Sequence, residues 1–199
     1  MDTNKKFNIK VIVGSTRQGR FGDKAAAWVA DLAKTNENLD VEVLDLRDYA
    51  FPFFEGASPK TLGGMYADPV VSKWAAQIAE ADGFIFTVAE YNAGYTAVLK
   101  NALDVIYPEW NGKPVAYVGY GAMGGTRAIG QLRQVASDFK LESVAEEVHI
   151  MAPWFLTDEA GGLKAGALDE YVEAGKALVA SVATAAASIA GARGAKVAA

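Results

Sequence analysis

The stretch Ile9-Lys10-Val11-Ile12-Val13-Gly14-Ser15-Thr16-Arg17-Gln18-Gly19-Arg20-Phe21-Gly22 sets the reading of the whole chain. Ile9 to Val13 is a short run rich in β-branched residues that stops at Gly14, as a buried strand does. From Asp23 the apolar residues Ala25, Trp28, Val29, Leu32 and Ala33 recur at helical spacing, and Asp23 is placed to cap that helix. A strand that turns through a glycine loop into a helix is the opening unit of an α/β domain.

The same switch repeats along the chain. Strands are predicted at Val41–Leu46, Gly83–Val88, Val115–Tyr120 and Ser143–Ile150. Helices are predicted from Pro69 to Ala81, over Tyr95, Val98, Leu99, Ala102 and Ile106, over Ala128, Ile129, Leu132, Val135, Ala136 and Phe139, and from near Leu168 onward. Five strands alternating with helices predict one α/β domain with a parallel sheet covered on both faces. One segment resists this pattern: YAFPFFEGASPKTLGGMYADP, residues 49–69, is dense in Gly, Pro and aromatics. A loop this long in a compact domain is functional or an interface element.

Composition narrows the chemistry. The 199 residues include no cysteine, which excludes disulfides, zinc thiolates, iron–sulfur clusters and catalytic thiols. A net charge of −5 without a basic stripe argues against nucleic acid. The N-terminal run around Lys10 is too short and too charged for a signal peptide, and the absence of cysteine suits a reducing cytoplasm. The uncharged stretch between Lys176 and Arg193, rich in Ala and Ser, is read as a helix lying on the sheet rather than a membrane span. The closing residues, 191–199, read as a frayed tail, with the core between about residues 8 and 190.

In open α/β sheets ligands sit beyond the carboxyl ends of the strands, so three loops are singled out. Gly14–Gly22 combines hydroxyls at Ser15 and Thr16 with arginines at 17 and 20, ahead of a helix N-terminus: a natural phosphate cradle. It is neither a Walker loop nor G-x-G-x-x-G. Ala89-Glu90-Tyr91-Asn92-Ala93-Gly94-Tyr95 is polar and aromatic directly after an apolar strand, a mixture that suits the edge and face of a flat heterocycle. Gly119-Tyr120-Gly121-Ala122-Met123-Gly124-Gly125 is glycine-rich enough to let the main chain approach a ligand, with Thr126 placed to cap the next helix. The only histidine, His149, reads as structural, and Asp45 as a turn or cap residue.

Taken together, Gly14-Ser15-Thr16-Arg17 with Arg20, Glu90-Tyr91-Asn92 followed by Tyr95 and Leu99-Lys100-Asn101-Ala102-Leu103-Asp104, and Gly119-Tyr120-Gly121 with Gly124-Gly125 resemble the NADPH-dependent FMN reductase family over roughly residues 8 to 150. The resemblance implies a flavodoxin-like three-layer sandwich with strand order 2-1-3-4-5. It implies a homodimer or homotetramer that passes electrons from NADPH or NADH through bound FMN to quinones, free flavin, azo dyes or metal oxyanions. Ser15, Arg17 and Arg20 would hold the FMN phosphate. Ala89, Glu90, Tyr91 and Asn92 would lie along the isoalloxazine ring, mainly through backbone groups, and Gly119, Tyr120 and Gly121 would close its other edge. Tyr95 and Gly124 belong to the same binding set. Where the family commonly has Pro, this chain has Ala89, which loosens the ring-binding turn. No side chain is implied as an indispensable acid or base, because the chemistry resides on the cofactor. The competing reading is a non-catalytic flavin carrier or a redox-sensing interaction protein.

Overall fold

The computed structural model describes residues 6–197, with side chains through Ala192. Five strands form one parallel sheet in the order β2-β1-β3-β4-β5. They are β1 Phe7–Val13, β2 Leu39–Asp45, β3 Gly83–Ala89, β4 Pro114–Gly121 and β5 Glu142–Met151. Every residue of β3 is buried, which explains its unbroken apolar run FIF and the lack of alternation.

The helices divide between the two faces. On one face α1 (Gly22–Lys34) and the C-terminal α6 (Val172–Val197) cover a core that includes Val11, Val13, Ile85, Val118 and Ile150. On the other, α3 (Pro69–Glu80), α4 (Ala97–Asp104) and α5 (Thr126–Asp138) cover Ile12, Phe84, Phe86 and Tyr117. Trp74 and Trp110 meet edge to face there, 6.0 Å apart. A four-residue helix, α2 (Pro59–Leu62), is the only regular element in the aromatic segment between β2 and α3 apart from a single 3-10 turn at Leu46–Asp48.

Several local expectations are corrected. Asp23 does not cap α1: Phe21 already has helical dihedrals, so Asp23 falls inside the first turn, where its charge suits the helix dipole instead. Thr126 does not cap α5, because Gly125 takes the cap position with φ +76° and the carboxylate of Glu90 reaches it from another loop. The final helix begins at Val172, after a 3-10 turn at Asp169–Tyr171, rather than near Leu168. It then runs to Val197, so residues 191–197 are helical rather than a frayed tail, while Ala198 and Ala199 lie outside the described residues, as do the first five residues of the N-terminal run. The stretch Asp169–Ala192, which takes in that turn and most of α6, holds an 18-residue window of mean hydropathy 1.3, long and apolar enough by composition to cross a membrane. Its Leu178, Val179, Val182 and Ala186 are buried against the sheet, as a covering helix requires.

Candidate functional site

The three loops singled out in the sequence emerge together at the carboxyl edge of β1, β3 and β4. Their order in the sheet makes neighbours of loops that are about 75 residues apart in the chain. The Ser15 hydroxyl and the Tyr91 hydroxyl are 2.7 Å apart, and the Arg17 guanidinium lies over the Tyr91 ring at 5.4 Å. Thr96 anchors the joint: its hydroxyl donates to the Gly14 carbonyl at 2.5 Å and accepts from Leu99 N as the cap of α4.

The first loop keeps its donors open. The backbone N–H groups of Thr16, Gln18 and Gly19 make no hydrogen bond within the described chain. Arg17 is exposed and has no carboxylate partner there. Arg20 is different. It is 3% exposed and its guanidinium grips Asp45 through both terminal nitrogens, one of them at 2.8 Å, and also donates to the Ser15 carbonyl. Arg20 therefore shapes the loop from beneath, with its charge already neutralised by Asp45. Burial pushes the Asp45 carboxyl up, but the bonds from Arg20 and Arg47 N outweigh it and hold it below the usual carboxylate value. Asp45 is also the cap of the turn after β2, as its position suggests. Arg47, which the sequence did not single out, donates to the carbonyls of Thr16 (3.2 Å) and Arg17 and so braces the loop from the β2 side.

The second loop is a tight hairpin. Tyr91 and Gly94 exchange both backbone hydrogen bonds, at 2.8 and 3.1 Å, around Asn92 (φ +50°) and Ala93 (φ +69°). Glu90 N donates to the Tyr120 carbonyl at 3.0 Å. The N–H groups of Glu90 and Tyr91 are thus committed, and those of Asn92 and Ala93 are the open ones. Ala89 is the last strand residue, paired with Tyr120 and buried in the core. Tyr95 is half-buried against the core beneath the loop, and burial pushes its hydroxyl pKa up.

The Glu90 side chain is 3% exposed and accepts from Arg127 N (3.0 Å), Arg127 Nε (2.8 Å) and Ala128 N (3.4 Å). It is a cap for α5 and ties the second loop to the third. Both of its carboxylate oxygens are taken by these donors. Asn101, inside the LKNALD string, performs a similar service. Its amide donates to the Pro52 carbonyl at 2.9 Å and accepts from Phe54 N at 3.3 Å, fastening the aromatic segment to α4.

The third loop folds back on the protein. A Cβ on Gly119 would stand 2.5 Å from the Gly124 carbonyl and 2.7 Å from Ile129 Cδ1, so this glycine admits the chain's own return rather than a ligand. The Gly121 carbonyl accepts from Gly124 N and from Ala152 N. His149 holds the loop down, with Nδ1 3.1 Å from the Gly124 carbonyl and Nε2 2.9 Å from Glu147. Tyr120 is buried beneath the first loop, its ring 5.5 Å from Phe21, and its hydroxyl makes no hydrogen bond. The open part of this loop is Ala122 and Met123 at its tip.

Beside Thr16 a cavity of about 380 Å³ opens between the first loop, the aromatic segment and α4, with Tyr49, Phe51 and Phe53 as walls and Arg47 at the rim. The site thus offers an anion cradle, a hairpin with free N–H groups and an apolar recess along one edge.

Comparison with known proteins agrees with this geometry. The model of the NADPH-dependent FMN reductase family matches residues 7–153. An NAD(P)H-dependent FMN reductase of Schizosaccharomyces pombe is 41% identical over 134 residues, which are 67% of either chain. One from Nectria sp. is 34% identical over 84% of this chain and 89% of its own. A 2-hydroxy-1,4-benzoquinone reductase of Burkholderia sp. is 34% identical over 66% of this chain and 70% of its own. Among solved structures, the flavoenzyme NAD(P)H:acceptor oxidoreductase of Paracoccus denitrificans shares the fold, with a TM-score of 0.65 at 23% identity over 87% of this chain and 97% of that one. The chain belongs to the NADPH-dependent FMN reductase family.

Proposed function

We infer that the protein binds FMN across the three loops and passes electrons from NADPH or NADH to a quinone or a similar small acceptor. The observation that carries this is the first loop: three unspent backbone N–H groups and the unpaired Arg17 ahead of α1, a donor set that fits a phosphate monoester. When bound, FMN supplies the redox chemistry, accepting hydride from the nicotinamide and reducing the acceptor.

The chain's own residues bind and orient. Ser15, Arg17 and the N–H groups of Thr16, Gln18 and Gly19 hold the phosphate, with Arg20 setting the shape of the loop. The Asn92 and Ala93 N–H groups meet one edge of the ring, and the tip of the third loop beyond Gly121 meets the other. Ala89, Glu90, Tyr91, Tyr95, Gly119, Tyr120 and Gly124 support these contacts from behind. No side chain in the site is needed to move a proton: Glu90 is committed to Arg127 and His149 lies behind the third loop. The apolar recess of about 380 Å³ suits a planar acceptor. We read the protein as a single FMN-binding domain of the cytoplasm, without nucleic acid or membrane among its partners.

We also read it as a homodimer or homotetramer. Phe53 and Met65 are 77% and 79% exposed on the aromatic segment, more apolar surface than an isolated subunit usually shows. The test of the whole reading is FMN titration followed by steady-state NAD(P)H oxidation with a quinone, with mass measured by light scattering. Flavin binding with no quinone turnover would favour the carrier alternative, and a monomeric mass at micromolar concentration would remove the oligomer.

A further inference from the structure

The hairpin after β3 is closed under strain. Tyr91 and Gly94 pair their backbones, and the two residues between them, Asn92 and Ala93, have φ +50° and +69°. A two-residue turn with positive φ at both places prefers Asn-Gly, because glycine alone takes the second place without steric cost. Asparagine tolerates the left-handed region, whereas an alanine methyl is crowded there. The closed turn is what leaves the Asn92 and Ala93 N–H groups unpaired, and Ala93 biases the tip toward opening.

Helix α5 counters that bias. Arg127 and Gln131 stand four residues apart and so share one face of the helix. Arg127 takes the Glu90 carboxylate at the base of the hairpin, through Nε at 2.8 Å. At the tip, the Gln131 side-chain amide donates to the Ala93 carbonyl at 3.0 Å, the one hydrogen bond that Asn92 or Ala93 makes among the described residues. Gly94 admits this contact, since a Cβ there would stand 3.1 Å from Gln131 Oε1. Because α5 also follows directly on the third loop, one helix joins the two loops that flank the proposed ring site.

We propose that Gln131 is a positioning residue for the flavin ring, holding the Asn92–Ala93 tip closed against the strain at Ala93. Flavin affinity then scales with the fraction of hairpins that are closed, and Gln131 raises that fraction. FMN and riboflavin present the same ring to the tip, so the effect is independent of the phosphate. The inference rests on the flavin reading above and adds to it a residue of α5 that acts through the hairpin rather than on the ligand.

The experiment compares wild type, Gln131→Leu, Ala93→Gly and the double variant. Each flavin-free protein is titrated with FMN and with riboflavin, followed by flavin fluorescence, and its thermal melting is recorded. Gln131 is exposed, so the change to Leu leaves the core intact. Gln131→Leu is expected to weaken both flavins alike, by about fivefold, the value of one hydrogen bond. In the Ala93→Gly background the same change is expected to cost less than about twofold, because an Asn-Gly turn closes unaided. An equal loss in both backgrounds, or no loss in either, with wild type still binding FMN, would overturn the role. So would a loss confined to FMN, which would place the effect at the phosphate. A lowered melting temperature with both affinities unchanged would also overturn it, leaving Gln131 as a brace of the fold alone. Wild type that binds neither flavin would instead sink the functional reading, and this role with it.

Discussion

The loops after β1 and β4 leave the same edge of the sheet, and both are rich in glycine, but they spend their backbone groups in opposite ways. In the first, Gly19 has φ +63° with nothing within 4 Å of the point where a Cβ would stand, and the neighbouring N–H groups are unpaired. In the third, the glycines press on the protein itself: Gly119 against the Gly124 carbonyl, and Gly124 against His149. One loop is a set of donors waiting for a partner, and the other is a strut. Glycine content cannot tell these apart. The fate of each N–H and C=O group can.

The largest effect that separates them is on stability. Gly119→Ala forces backbone apart and should cost about 3 kcal/mol, the upper end of overpacking. Gly19→Ala meets open space and only the left-handed penalty, about 1 kcal/mol. Denaturant unfolding of both variants checks this, and equal losses would erase the distinction between strut and cradle.

Binding gives the reverse order. Arg17→Ala should weaken FMN by roughly 10- to 100-fold, the value of a charge-assisted hydrogen bond, and leave riboflavin nearly unchanged. Parallel losses for the two flavins, measured by titration, would mean that Arg17 does not meet the phosphate.

A smaller effect comes from the link between the second and third loops. Burial pushes the Glu90 carboxyl up, but its bonds from Arg127 and Ala128 prevail and set it below its ordinary value. A carboxylate depressed in the folded state contributes stability above its unfolded pKa, and loses it as pH falls through the folded one. Wild type should therefore lose more stability than Glu90→Gln over roughly pH 5 to 3. Parallel acid unfolding curves would remove Glu90 from the link.

The smallest effect is expected on turnover. His149→Ala should cost about 1 kcal/mol of stability through its lost hydrogen bonds and reduce kcat by much less than about 100-fold, the low end of general acid–base catalysis. A larger fall in kcat, with flavin still bound, would make the strut part of the chemistry.

The alternation of elements, the parallel sheet and the edge where the three loops gather were all legible in the sequence, with boundaries within a few residues. The reason is local. A residue's neighbours along the chain decide whether it can share a buried face, and Ile9–Val13 or Ala25–Ala33 state that face by their spacing alone. The residue types for a phosphate cradle were equally plain in Ser15, Thr16 and Arg17. What the tertiary structure decided was which polar groups remain free. Arg20 is paired with Asp45, 25 residues away in sequence, because strand order sets β2 beside β1. Glu90 became a cap for α5 because β3 and β4 are neighbours, which brings Arg127 to it across 37 residues. Trp154, just after β5, lines a cavity together with Arg17 and Gly19 of the first loop for the same kind of reason. Local sequence determines what each group could bind. Only the folded arrangement determines which groups have already found a partner inside the protein, because that depends on distances between segments that no local pattern encodes.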